Sequence, residues 1–310
     1  MNSSLGPQLP RHYRIGYALR AILYLPLVVN SWRLLLGHEK YFSLRLARWL
    51  ADIVNASSGR WHDHLGKLVI WCKKSSMTTN KNGIQEWSGT LQEVKYQGFA
   101  KVPRFVAQEQ VERIREVAMR SSGHDANGNT YSDVADWLEQ STSSKFIVPF
   151  PTSDPSADSI APYLTRLQVL AAMVLSVEPL LLDSQIWFNR PPIRSMSASE
   201  DLDQSAMRFH CDADAPGFIK AFLLLDEVRI ENGPLMFATG SHRSLRHVAW
   251  RESDEVVKGH FPVLSYGTGS AGDLVIADTR GWHKAGIPST GLRVVAQFVF
   301  VSSYFGCPAQ

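Results

Sequence analysis

The sequence predicts a mainly β chain with flanking helices, its strands assembled into a sandwich, a jelly roll or a barrel. Two observations carry that expectation. From Leu180 onward the apolar residues come in short runs, LLLDSQIWF, MRFHCDA, FIKAFLLLDEV, PLMFA, DLVIAD and LRVVAQFVFVSS, with turn residues between them. Before them, apolar residues recur at helical spacing, as in VAQEQVERIREVAM with Val111, Ile114 and Val117. No internal repeat is visible.

The N-terminal region differs from the rest. Its first 50 residues hold seven Lys and Arg against one acid, Glu39, whereas the whole chain has a net charge of only +3. The stretch IGYALRAILYLPLVVNSWRLLL is apolar, but Arg20 and Pro26 interrupt it, and its run without a charged or amide side chain is only Ala21 to Val29. A membrane span needs roughly 20 apolar residues. No small-residue cleavage site follows, so a signal peptide is not expected either. In YFSLRLARWLADIV, Phe42, Leu46, Trp49, Leu50 and Ile53 share one helical face with Arg45 and Arg48 opposite. Such a face packs on a main domain; being basic, it also suits anionic lipid, which allows peripheral membrane contact through residues 11–54. His62 and His64 in WHDHLG have no third ligand nearby and read as a solvated helix edge. We expect residues 1–82 to form an amphipathic helical appendage ending in the polar linker KKSSMTTNKN, and residues 83–310 to form the main domain.

Within that domain, VAQEQVERIREVAM predicts a helix and SIAPYLTRLQVLAAMVLSV a more buried one. Between them SSGHDANGNTYSD, rich in Gly, Asn and Ser, reads as an irregular loop with room to act as a lid. At 310 residues with 45% hydrophobic and 20% charged, the chain is long enough for a sizeable core. The small net charge gives no reason to expect nucleic acid as a partner. Three distant cysteines, Cys72, Cys211 and Cys307, form neither a disulfide framework nor a Cys-x-x-Cys motif, so a reducing cytoplasm is the simplest location.

The chemistry begins at MRFHCDADAPG. In a strand, His210 and Asp212 point to the same face with Cys211 turned away, which makes half of a metal site. Asp214 reads as a turn residue. A facial triad for non-haem Fe(II) needs a second histidine and leaves positions open for cosubstrate and O2. His283, at the end of the apolar strand in GDLVIADTRGWHKAG, fits that need. Arg293 opens the next strand and is its lone charge, so it must either reach solvent, pair with an acid such as Asp278, or meet an anion in a pocket.

Together these segments resemble the phytanoyl-CoA dioxygenase family of Fe(II)- and 2-oxoglutarate-dependent oxygenases, which includes the ectoine hydroxylases. The resemblance runs from LQEVKYQGFAKVPRFVAQEQVERIREV, similar to the family's opening strand, turn and first helix, through FNRPP, FHCDAD, LLLDEVRIENGPLMFATGSHR and GDLVIADTRGWHKAGIPSTGLR, roughly residues 89 to 305. It implies a double-stranded β-helix of jelly-roll, cupin-like type flanked by helices. It also implies iron ligands at His210, Asp212 and His283, with 2-oxoglutarate held by Arg293, Asn189 and Lys220. The implied reaction is oxidative decarboxylation of 2-oxoglutarate to succinate and CO2, using O2 and coupled to oxidation of a C–H bond in a small to medium-sized metabolite. Gln185 and Trp187, which alternate with Asn189, are candidate substrate contacts, as is Met207.

One position departs from the family pattern. Two residues after the distal histidine the family often carries Ser or Thr, and here stands Ala285. Lys220, where relatives often have a small hydroxyl residue, is a candidate replacement for the lost contact. Asp212 argues against the related halogenases, which vacate that ligand for chloride, and so favours hydroxylation, desaturation or ring formation. No basic cluster resembles a CoA phosphate site, which disfavours an acyl-CoA. Two other readings stay open: a non-catalytic jelly-roll binding protein, and a Zn or Mn cupin-like isomerase or hydrolase. Fold does not choose the substrate, and the sequence leaves the oligomeric state open.

Overall fold

A computed structural model of the chain describes residues 81–150, 161–176, 178–192, 206–212, 217–244 and 251–302. Residues 1–80 of the expected appendage and linker, the membrane contact, His62, His64 and Asp214 lie outside them, while Lys81 and Asn82, the end of the expected linker, already belong to a helix. Among the described residues no helix is long and apolar enough to cross a membrane.

Among the described residues eleven strands form two antiparallel sheets. The larger contains β1 (Phe99–Val102), β2 (Gly123–Asp125), β3 (Thr130–Tyr131), β4 (Lys145–Pro149), β5 (Pro179–Asn189), β6 (Phe218–Leu224), β9 (Leu274–Ala277) and β11 (Arg293–Ser302), in the order β1-β9-β6-β11-β5-β4-β2-β3. The smaller holds β10 (His283–Ala285), β7 (Leu235–Ala238) and β8 (Leu264–Tyr266), in that order. Phe209–Cys211 adds to its edge beside β10 through a bridge between His210 and His283, and Phe209 pairs in turn with Glu252. Two antiparallel layers with helices outside the larger one make the jelly roll that the sequence predicts.

Period-2 alternation sorts the large sheet into two environments. On its outer face Phe146, Val148, Ile186, Phe188, Ala221, Leu223, Ala296 and Phe298 pack under three helices, α1 (Lys81–Gln97), α2 (Gln108–Met119) and α4 (Ala161–Leu175); α3 (Val134–Gln140) and α5 (Asp254–His260) are shorter. The helices contribute Trp87 and Val94, Val111 and Ile114, and Leu167 and Leu170 to the same core. On its inner face Phe99, Phe222, Leu224, Val275 and Val295 meet Phe237 of the small sheet. The inner face is where polar side chains interrupt the apolar pattern.

Three local expectations are corrected. LQEVKYQ, read as an opening strand, is the last part of α1: Trp87, Leu91 and Val94 are spaced for a helix, and all three pack in the core. Gly98 ends it at φ 78°, where a Cβ would lie 2.4 Å from His242 Nδ1. Strand geometry at MRFHCDA is confined to Phe209–Cys211, and Met207 lies in a preceding turn.

The third correction concerns SSGHDANGNTYSD, which is no lid. It folds into the β2–β3 hairpin at the sheet edge, with Asp125 buried inside it. That carboxylate accepts from the backbone N–H groups of Asn127 (2.8 Å) and Asn129 (3.0 Å), and from the side chains of Asn129 (3.3 Å), Tyr131 (3.2 Å) and Ser141 (2.9 Å). Polar composition here serves a knot of hydrogen bonds. Burial pushes the Asp125 carboxyl up, but the bonds from Ser141, Asn129 and Asn127 outweigh burial and hold it below its ordinary value. Its contribution is therefore complete at neutral pH and is lost as acid takes it from roughly 4 downward. Asp125→Ala, which strands several donors, should cost about 2 kcal/mol or more in urea unfolding at pH 7. That difference from the parent should shrink below about pH 4.

Candidate metal centre

The centre is built by strand register. His210 and His283 form a hydrogen-bonded antiparallel pair, His210 N–H to His283 C=O at 2.9 Å and the reverse at 3.0 Å. Residues so paired project from the same face, and the ring centroids lie 4.3 Å apart. Asp212, two residues beyond His210, points the same way, and its backbone N–H is tied to Thr279 C=O at 2.9 Å. Cys211, between them, faces the opposite side among Phe209, Ala238, Val257 and Trp282, as expected.

Three donor atoms converge. His283 Nε2 lies 3.2 Å from Asp212 Oδ2, His210 Nε2 lies 3.7 Å from Asp212 Oδ1, and one ligand atom from each residue falls within 4.8 Å of the others. Each ring also has its second nitrogen at a backbone carbonyl: His210 Nδ1 at Arg208 O, 2.8 Å, and His283 Nδ1 at Gly281 O, 3.0 Å. A carbonyl only accepts, so Nδ1 must carry the proton in both rings. In a neutral ring so held, Nε2 is the nitrogen left to ligate, the tautomer a metal at this position requires. Burial, reinforced by His283, pushes His210 down to about 3, so the ring is neutral at physiological pH. Burial alone would raise Asp212, but the Lys220 ammonium, 2.8 Å from Oδ2, and His283 hold it well below the usual carboxylate range. Two imidazoles and one carboxylate make a donor set that suits a divalent first-row metal.

A second polar group lies across the inner face of the large sheet. Arg293 on β11 pairs in register with Asn189 on β5, and Asn189 with Lys145 on β4, so the three side chains form one row over adjacent strands. Arg293 is 6% exposed and Asn189 7%. Arg293 Nη2 donates to Asn189 Oδ1 at 3.0 Å, while its Nε is buried with no hydrogen-bond acceptor among the described residues. Burial lowers Arg293 to about 10, still well above neutrality. Lys145 lies over the Trp187 ring at 3.6 Å, and burial, then the charges of Arg293 and Lys220, bring it down to about 8. Asp278 does not meet Arg293; it pairs with Arg280.

Arg293 and Asn189 line a partly open, mainly apolar pocket with Trp187, Phe222, Leu235 and Ala285. Ala285 lies two residues from His283 on β10. Trp187 Nε1 donates to Gln185 Oε1 at 2.9 Å, which places both on the inner face with Asn189. Met207 is half-buried near the end of β10, where Ala285 N–H donates to Ala206 C=O at 2.7 Å. Lys220 stands at Asp212. Its charge also acts on Lys145. Two inner-face residues escaped the sequence reading. Lys145 is the lone polar side chain of KFIVP, the signal that singles out Arg293, and Gln297 is the polar residue that interrupts the apolar run after Arg293 in RVVAQFVFV.

Comparison with known proteins agrees with this architecture. EvdO2 of Micromonospora carbonacea var. aurantiaca, solved with 2-oxoglutarate, is 19% identical over 68% of this chain and 89% of that one, with a TM-score of 0.51. The non-heme alpha-ketoglutarate-dependent carbocyclase SnoK from nogalamycin biosynthesis is 15% identical over 73% of this chain and 85% of that one, with a TM-score of 0.49. HygX from Streptomyces hygroscopicus, solved with nickel and 2-oxoglutarate, is 16% identical over 72% and 87%, with a TM-score of 0.44. At such identities the likeness is one of fold. No curated protein matches the chain. The phytanoyl-CoA dioxygenase family model matches residues 94–293, a span that contains both the converging donors and the arginine row, and the chain belongs to that family.

Proposed function

We propose that the protein is an Fe(II)- and 2-oxoglutarate-dependent oxygenase that oxidises a small to medium-sized metabolite, with release of succinate and CO2. The observation that carries this reading is the pairing of two neighbouring features: a two-histidine, one-carboxylate donor set whose Nδ1 atoms both sit at backbone carbonyls, and a buried arginine lining a pocket that Ala285, two residues from His283, also lines. His210, Asp212 and His283 would hold the iron. When bound, the iron supplies the activation of O2 and the oxidation of a substrate C–H bond. Family membership and the 2-oxoglutarate complex of EvdO2 support the cosubstrate.

The chain's own residues do the positioning. A 2-oxo acid chelates through its ketone and C1 carboxylate, so its far carboxylate needs a separate cation, which Arg293 provides with a planar fork. Asn189 holds that fork in place at 3.0 Å, and Lys145 adds a second positive charge from the next strand. Arg293 Nε, buried with no acceptor among the described residues, is an observation such a carboxylate would account for. Phe222, Leu224, Val275 and Val295 line the pocket with apolar surface that excludes water and strengthens each of these contacts. Trp187 and Gln185 face the same space and are proposed to contact substrate. Asp212 fills the carboxylate position that halogenases leave open, so hydroxylation, desaturation or cyclisation is preferred.

Succinate measured by mass spectrometry after adding Fe(II), 2-oxoglutarate and O2 tests this. Slow succinate formation, faster with a matching substrate and absent without Fe(II), is expected. A protein that binds 2-oxoglutarate but makes no succinate with any substrate of a broad metabolite panel would be a binding protein on this fold. Turnover supported by Zn(II) without O2 would indicate a cupin-like isomerase or hydrolase.

A further inference from the structure

Lys220 is the least expected group at the centre. It sits on β6, on the inner face between Phe218 and Phe222, with only 13% of its side chain exposed. Its Nζ donates to Asp212 Oδ2 at 2.8 Å. That carboxylate is also the oxygen donor of the converging triad, with His283 Nε2 at 3.2 Å from the same Oδ2 and His210 Nε2 at 3.7 Å from Oδ1. One carboxylate thus faces two cations, a fixed ammonium and the metal of the proposed function. We propose that Lys220 is a built-in counter-ion to Asp212 whose charge opposes that of the metal, so that it holds the ligand in place while loosening the grip on iron. The inference rests on the metal reading above.

The coupling is electrostatic. In a buried site an ionised carboxylate is costly without a cation, so Lys220 stabilises the ligand set as a whole. A metal bound to Asp212 gains less from a carboxylate already neutralised, and it also meets the repulsion of the ammonium. Lys220 and metal are therefore negatively coupled through Asp212, and coupling between two ligands of one site commonly spans about 5 to 150-fold in affinity. A lysine that served packing alone would stabilise the metal-loaded and metal-free protein equally. The two roles separate in one measurement.

The test is the thermal midpoint of the full-length protein with and without Fe(II) under anaerobic conditions, and the Fe(II) dissociation constant, for parent, Lys220→Met, Lys220→Arg and His210→Ala. Lys220→Met should lower the midpoint without metal, raise the metal-induced increment above the parent's, and tighten Fe(II) at least about fivefold. Lys220→Arg, which keeps the charge, should behave as the parent. If Lys220→Met does not fold without metal, Lys220→Gln, which keeps a hydrogen-bond donor, carries the same comparison. An unchanged increment, or weaker Fe(II) binding, in the charge-removing variants would overturn the proposal while leaving the triad intact. If the parent itself shows no metal-induced increment, or His210→Ala keeps it, the metal reading fails, and the proposal fails with it.

Discussion

Replacing Arg293 by glutamine should raise the apparent KM for 2-oxoglutarate at least about tenfold, because a charge-assisted contact to a carboxylate is worth about 1.5–3 kcal/mol and each 1.4 kcal/mol is a factor of ten. The burial of Arg293 favours the upper part of that range. The effect should fall on KM more than on kcat, since the arginine holds the same carboxylate before and during reaction. Arg293→Lys should fall between: it keeps charge but loses the fork, and it also loses the geometry by which Nη2 meets Asn189 Oδ1. Pyruvate, which lacks the far carboxylate, should respond little to either change. A parental KM in Arg293→Gln would mean that Lys145 or another cation holds the cosubstrate.

The second large effect is expected at the histidines. His210→Ala and His283→Ala each remove one of three protein donors, and loss of groups that merely orient such ligands already costs 10–100-fold in metal affinity. A direct ligand should cost more, at least ~100-fold, with succinate formation falling in step. The fold should survive. The backbone bonds between the two strands, 2.9 and 3.0 Å, do not depend on the side chains, so each alanine variant should unfold near the parent's metal-free midpoint.

Much of this site is legible in the sequence because its residues break local patterns. Arg293 is the lone charge of an apolar strand, and His210 and Asp212 share a face by period 2 alone. His283 is legible as the histidine that ends a late apolar strand, but its register against His210 is not, since pairing between segments so distant in sequence is set by the packing of whole sheets and leaves no local trace. Lys145 carried the same signal as Arg293, but KFIVP is only five residues long, and its place beside Asn189 emerges only from the β4–β5 register. The Asp125 hairpin was hidden for the opposite reason. Its Asn, Gly and Ser composition is that of a loop, and what orders it is a single buried carboxylate collecting donors from five groups. Helix α1 continues through residues that resemble a strand because Leu91 and Val94 find the core at helical spacing.

In the proposed function His210, Asp212 and His283 hold one iron to which 2-oxoglutarate chelates beside Arg293. Anaerobic titration of the Fe(II)-loaded protein with 2-oxoglutarate, followed by visible absorption, tests it most directly, because the chelate gives a weak charge-transfer band that neither partner shows alone. One equivalent of iron per chain should develop the band in the parent protein. Neither His210→Ala nor His283→Ala should develop it, and Arg293→Gln should do so only at higher 2-oxoglutarate. A band of undiminished intensity in both histidine variants would place the iron elsewhere and contradict the account.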